Sequence, residues 1–166
     1  MTIEPEILET LYNLSYDPSP YAKCSAFGHW IDALFGLGSP PYLPRELSFP
    51  EQKEAFVYLL ERLLREGKVL LTPPALMEEQ EPYYWVIADG YSDNKPMRPA
   101  ERVAEGGPCR FRVWDVPIEK QISYIRDTFP KNVSNANDFE LTAYWYDGRC
   151  PWIGWVDAET GVLWAS

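Results

Sequence analysis

The sequence predicts an α+β fold: about four helices packed on a mostly antiparallel sheet, closing with a C-terminal β-meander. Three observations predict it. Apolar residues recur at helical spacing in four separate stretches. Two β-branched and aromatic runs lie between turn-rich segments. The C-terminus carries three short runs divided by tight-turn sequences. A length of 166 residues favours a single domain, 1–166, able to bury a core without a metal or disulfide staple.

The first helix is expected from about Ile3 to Leu14, where Ile7, Leu8, Leu11 and Leu14 make one apolar face and Pro5 fits a first turn. The second is expected from about Tyr21 to Phe35, with Phe27, Trp30, Ile31, Leu34 and Phe35 as its stripe and Gly36 and Gly38 as its stop. The third opens at Ser48 with Glu51 three residues on, the spacing of a capping box. It runs through Phe56, Leu59, Leu60, Leu63 and Leu64 to Gly67, where a left-handed backbone costs little. "KVLL" then begins a short strand. Strands follow at Tyr83–Ala88 and in "CRFRVW", where Arg110 and Arg112 alternate with Phe111 and Val113. The fourth helix starts near Pro117, lines up Ile118, Ile122, Ile125 and Phe129, and stops at Pro130. The meander is expected as strands Glu140–Tyr146, Trp152–Val156 and Val162–Ala165, the last turn using Gly161. The stretch "WYDGRCPWIGWVD" loads both faces of this meander with rings. One face must pack on helices. The other is either covered by the middle of the chain or left as a partner-facing rim carrying Tyr144 and Tyr146.

Charge narrows the function classes. Twenty-five acids against fifteen bases give a net charge of −10. Such a surface repels nucleic acid and anionic membranes at long range and attracts a cationic partner. No apolar run approaches the roughly 18 residues of a membrane span, and the N-terminus lacks a basic leader, so a cytosolic protein is expected. Phosphate-binding glycine loops, a nucleophile elbow and zinc-protease spacing are all missing. The single His29 and the scattered Cys24, Cys109 and Cys150 do not make a zinc set. No catalytic residue, metal or cofactor is therefore expected. Carboxylates do cluster: Glu78, Glu79 and Glu81; Asp89 and Asp93; Glu101 and Glu105. Near aromatics, they also suit a small carbohydrate-binding or carbohydrate-active domain. A third alternative is an assembly or regulatory module whose acids serve solubility.

Three blocks carry a resemblance: "KEAFVYLLERLLREGKVLL", "PIEKQISYIRDTFPKN" and "WYDGRCPWIGWVDAETGVLW". Together they resemble a bacterial domain-of-unknown-function family of small acidic proteins. The matching positions are Phe56, Leu59, Leu60, Leu63, Leu64, Gly67 and Lys68; Phe129 and Pro130; and Trp145, Cys150, Pro151 and Trp155. The family is found beside secreted polymorphic toxins, so the resemblance implies an immunity protein with a cognate protein toxin as partner. For a nuclease toxin, cationic where it holds phosphates, the −10 chain supplies matching carboxylates. The matched residues are mostly scaffold. Partner contact is then expected from Glu78, Glu79, Glu81, Asp89, Asp93, Glu101 and Glu105 with Tyr144 and Tyr146. The stretch 72–113 departs from the family pattern and is a candidate for a specialised insertion.

Overall fold

The fold is organised around its longest helix. A computed structural model describes residues 2–16, 26–39, 43–91, 93 and 95–165. Helix α1 spans Pro5–Ser15, α2 Ile31–Gly36 and α3 Phe49–Arg65. The capping box of α3 forms as its spacing predicts. The Ser48 hydroxyl accepts from the Glu51 N–H at 3.3 Å, and the Glu51 carboxylate accepts from the Ser48 N–H at 3.1 Å. At the other end, the Lys68 N–H donates to the Leu63 carbonyl at 2.9 Å with Gly67 at φ +69°, a turn that only glycine makes cheaply. The buried face of α3 meets α1, α2 and the strand β1, Val69–Leu71. Helix α4, Ile118–Thr128, packs on the same helix and buries Ile122 and Ile125, with Phe129 just beyond its end.

Phe129 is the hub of a ring cluster. Its centroid lies 5.9 Å from Phe35, 6.5 Å from Phe56, 5.7 Å from Tyr144 and 6.1 Å from Trp145. Polar contacts hold α1 at the edge. Arg62 bonds Glu9 at 2.8 Å and lies 3.5 Å above the Tyr12 ring. The Tyr12 hydroxyl is bonded between Glu66 and Lys68.

Two antiparallel three-stranded sheets complete the α+β fold. The first has the order β1-β5-β6, with β5 at Ile153–Val156 and β6 at Leu163–Ala165. The second has the order β3-β2-β4, with β2 at Tyr83–Ile87, β3 at Arg102–Val103 and β4 at Arg110–Trp114. Residues of the 72–113 stretch thus build a sheet of their own. Its inner face, Val86, Phe111 and Val113, packs with Leu163 of the first sheet. Gly154 permits that approach: a Cβ there would lie 2.9 Å from Leu163 and 3.1 Å from Phe111.

Two expectations are corrected. The C-terminal strand pair is present, joined by a turn with Gly161 at φ +73°, but the expected strand Glu140–Tyr146 is helix α5, Phe139–Tyr146. The Asp138 carboxylate caps it by accepting from the Glu140 N–H at 2.9 Å. Leu141, Tyr144 and Trp145 then fall on one buried stripe, and β1 takes the edge of the first sheet. The second helix is shorter than its apolar pattern suggests. A turn at Phe27–Gly28, with Gly28 at φ +81°, keeps Phe27 and Trp30 out of α2. The expected start at Tyr21, and Cys24, lie outside the described residues.

Candidate functional site

Helix α5 decides which tyrosine reaches the surface. Two positions apart on a helix, Tyr144 and Tyr146 point to nearly opposite sides. Tyr144 is fully buried, its hydroxyl 3.0 Å from the Thr128 hydroxyl and its pKa pushed up by burial. It belongs to the core and not to a rim. Tyr146 is 52% exposed and donates to the Asp32 carboxylate at 2.8 Å. That bond to a charged carboxylate raises its pKa.

Two further rings join Tyr146. Trp30, 53% exposed, lies 5.2 Å away centroid to centroid at an interplanar angle of 60°. Trp152, 61% exposed, shares a shallow groove with both rings. Ile31, Trp145 and Ile153 form the floor and Asp32 stands at its edge. Each wall is anchored. The Trp155 indole N–H donates to the His29 carbonyl at 2.9 Å, and the Trp152 N–H donates to the Thr72 hydroxyl at 2.9 Å.

Trp152 also lines a larger cleft of about 530 Å³ between the two sheets. Register places Trp85 opposite Arg112 and Ile87 opposite Arg110, so these residues share one face of the second sheet, the face opposite to Val86 and Phe111. Arg112 lies 4.3 Å from the Tyr83 ring and 4.8 Å from the Trp85 ring, and its guanidinium is 3.5 Å from Glu78. Arg110 donates to the Cys109 carbonyl at 3.2 Å. Tyr91 reaches across to the Gly28 carbonyl and packs on Trp164. An aromatic band therefore runs from Trp30 and Tyr146 through Trp152 into the cleft walled by Tyr91 and Trp85.

The predicted acids divide around this band. Glu78 lines the cleft, and Glu79, Asp93, Glu101 and Glu105 are exposed. Glu105 precedes Gly106, which sits against the Trp85 indole. Asp93 is two residues beyond Tyr91. Glu81 is half-buried, accepting from the Trp114 indole N–H at 3.2 Å. Asp89 is the correction: it is fully buried and accepts from the Arg98 backbone N–H at 3.0 Å, Nε at 2.8 Å and Nη2 at 3.1 Å. It ties the 89–98 loop down and offers no charge to a partner. Sequence reasoning missed Trp30, Asp32, Trp85, Tyr91 and Trp152 as site residues. They come from segments far apart in the chain, with no shared local pattern.

The arrangement is suited to contact. Glu78 is the one carboxylate among the described lining residues of the cleft, so the facing carboxyl pair of glycoside hydrolysis is not assembled there. Among the described residues no group of three His, Cys, Asp or Glu is placed to hold a metal ion, and no helix is long and apolar enough to cross a membrane.

No protein-family model matches the chain. No curated protein matches it. Among solved structures, the chain is similar to an uncharacterized protein conserved in bacteria, from Neisseria meningitidis, at 16% identity and a TM-score of 0.46, covering 95% of this chain and 82% of that one.

Proposed function

We propose that this protein is a non-catalytic immunity-type protein that binds and neutralises a bacterial toxin with a basic surface. The observation that carries the reading is the anchored aromatic band bordered by carboxylates. Trp30, Tyr91, Tyr146 and Trp152 are each more than half exposed. Large exposed rings gathered together are unfavourable in water and are the residue types that anchor protein interfaces. Asp32 lines the groove and Glu78 the cleft beside these rings, and the chain as a whole carries −10. A cationic partner would be steered to this surface and then held by ring burial. The resemblance to small acidic proteins encoded beside secreted toxins supports the same reading.

The test is co-expression with the C-terminal domain of any secreted toxin encoded beside this gene. Cells carrying both should survive. Killing as fast with the protein as without it refutes the proposal. A second reading, carbohydrate binding without hydrolysis, is favoured by the cleft of about 530 Å³ with Trp85, Tyr91 and Trp152 on its walls. Saturable binding to one glycan on an array, lost in Trp85→Ala, would select it.

A further inference from the structure

We infer that the groove between Trp30, Tyr146 and Trp152 is an aromatic cage for one cationic head group, the ammonium or guanidinium of a side chain on the partner. The partner's identity rests on the immunity reading; the chemistry of the cage does not. The Trp30 and Tyr146 rings are tilted at 60° with centroids 5.2 Å apart, not stacked in parallel, and both line the groove. Ring faces carry the negative lobe of the quadrupole and attract cations. Asp32 adds a full negative charge at the same place. Its orientation is fixed by the Tyr146 hydroxyl at 2.8 Å, and it enters no salt bridge among the described residues.

Size and polarity narrow the occupant. The groove has room of about 30 Å³, enough for a single small group by the criterion that one water needs roughly 10–15 Å³. Its floor of Ile31, Trp145 and Ile153 would take the alkyl stem. A neutral apolar group would strip water from the Asp32 carboxylate without replacing its hydrogen bonds. An anion would meet the carboxylate and two ring faces. A cation satisfies both. The walls are held in place before binding by the bonds from the Trp155 indole to the His29 carbonyl and from the Trp152 N–H to the Thr72 hydroxyl, so little ordering is required.

The experiment is a titration of the full-length ¹⁵N-labelled protein, following its tryptophan indole resonances. The probes are n-butylammonium and n-propylguanidinium, with n-butanol as the neutral isostere and sodium chloride as the ionic-strength control. The Trp30 and Trp152 indole signals should shift saturably with at least one cation, and the stronger of the two distinguishes a lysine-like from an arginine-like occupant. Asp32→Asn should weaken that binding about tenfold, roughly the effect of losing one desolvated charge contact. n-Butanol shifting the same signals with equal half-saturation, or Asp32→Asn binding as tightly as wild type, overturns the cage. Cation binding by a protein that protects against no toxin leaves the cage standing and removes the immunity reading. Protection and toxin affinity unchanged in both Asp32→Asn and Trp30→Ala removes the cage and leaves immunity intact.

Discussion

Replacing Trp155 by alanine tests how the two faces of the aromatic C-terminus divide between core and surface. Trp155 is fully buried on β5, its ring 5.7 Å from Phe27 and 6.5 Å from Tyr16. Truncating a large buried aromatic costs about 3–5 kcal/mol from lost transfer energy and the cavity left behind. The indole N–H bond to the His29 carbonyl contributes about 1 kcal/mol more; His29 is exposed, so water can replace the donor. The expected loss, about 4–6 kcal/mol, is a large share of the roughly 5–15 kcal/mol that holds a domain folded. At about 2–4 °C per kcal/mol for a chain of this size, Tm should fall by about 8–24 °C. Urea unfolding followed by far-UV circular dichroism, with the slope m compared between variants, measures it. Trp152→Ala, three residues earlier and largely exposed, should stay within about 0.5 kcal/mol of wild type. A Trp155→Ala loss below about 1 kcal/mol, or equal losses for the two variants, would refute the division.

Gly154→Ala should destabilise by about 1–3 kcal/mol in the same assay, because the added methyl meets Leu163 and Phe111 where the two sheets touch; a neutral result would mean the sheets can separate. Glu51 has its folded-state pKa lowered to about 2, first by the Arg45 side chain and then by the Ser48 backbone N–H. Its stabilisation is therefore complete above the ordinary carboxylate pKa near 4.5 and is lost as pH falls through about 2. Glu51→Gln should flatten the fall in stability between pH 5 and pH 2, and an unchanged acid limb would contradict that. Burial pushes the Cys150 thiol pKa up, whereas Cys109 is half-exposed beside the cleft. Iodoacetamide followed by peptide mapping should label Cys109 in the native protein well before Cys150; equal rates would place Cys150 within reach of solvent.

Local chemistry made much of the fold legible. The Ser48 and Glu51 pair, the five-residue apolar stripe behind it and Gly67 define α3 from end to end. Alternation in "CRFRVW" gave the right faces of β4, with Phe111 inside and Arg112 outside. Helix α5 reads as a strand because "ELTAYWY" holds three rings and the β-branched Thr142, residue types that favour strands. The signal for a helix was present: Asp138 in capping position and Leu141, Tyr144 and Trp145 at helical spacing. That single change moves Tyr144 from rim to core. The site was less legible. Acids near Tyr91 and Trp85 could be noticed in the chain, but the burial of Asp89 depends on Arg98 folding back onto it. The meeting of Trp30 with Tyr146 joins segments far apart in the chain, and a sequence pattern does not encode such a contact locally.

The central claim is that the exposed rings and their carboxylate border exist to hold a basic protein. Equilibrium affinity for the proposed toxin partner, measured for wild type and for a Tyr146→Ala, Trp152→Ala double variant, is the direct test. A loss of about 100-fold or more is expected for two aromatic interface anchors, with Tm unchanged. Full affinity in the double variant, with its fold intact, would contradict it.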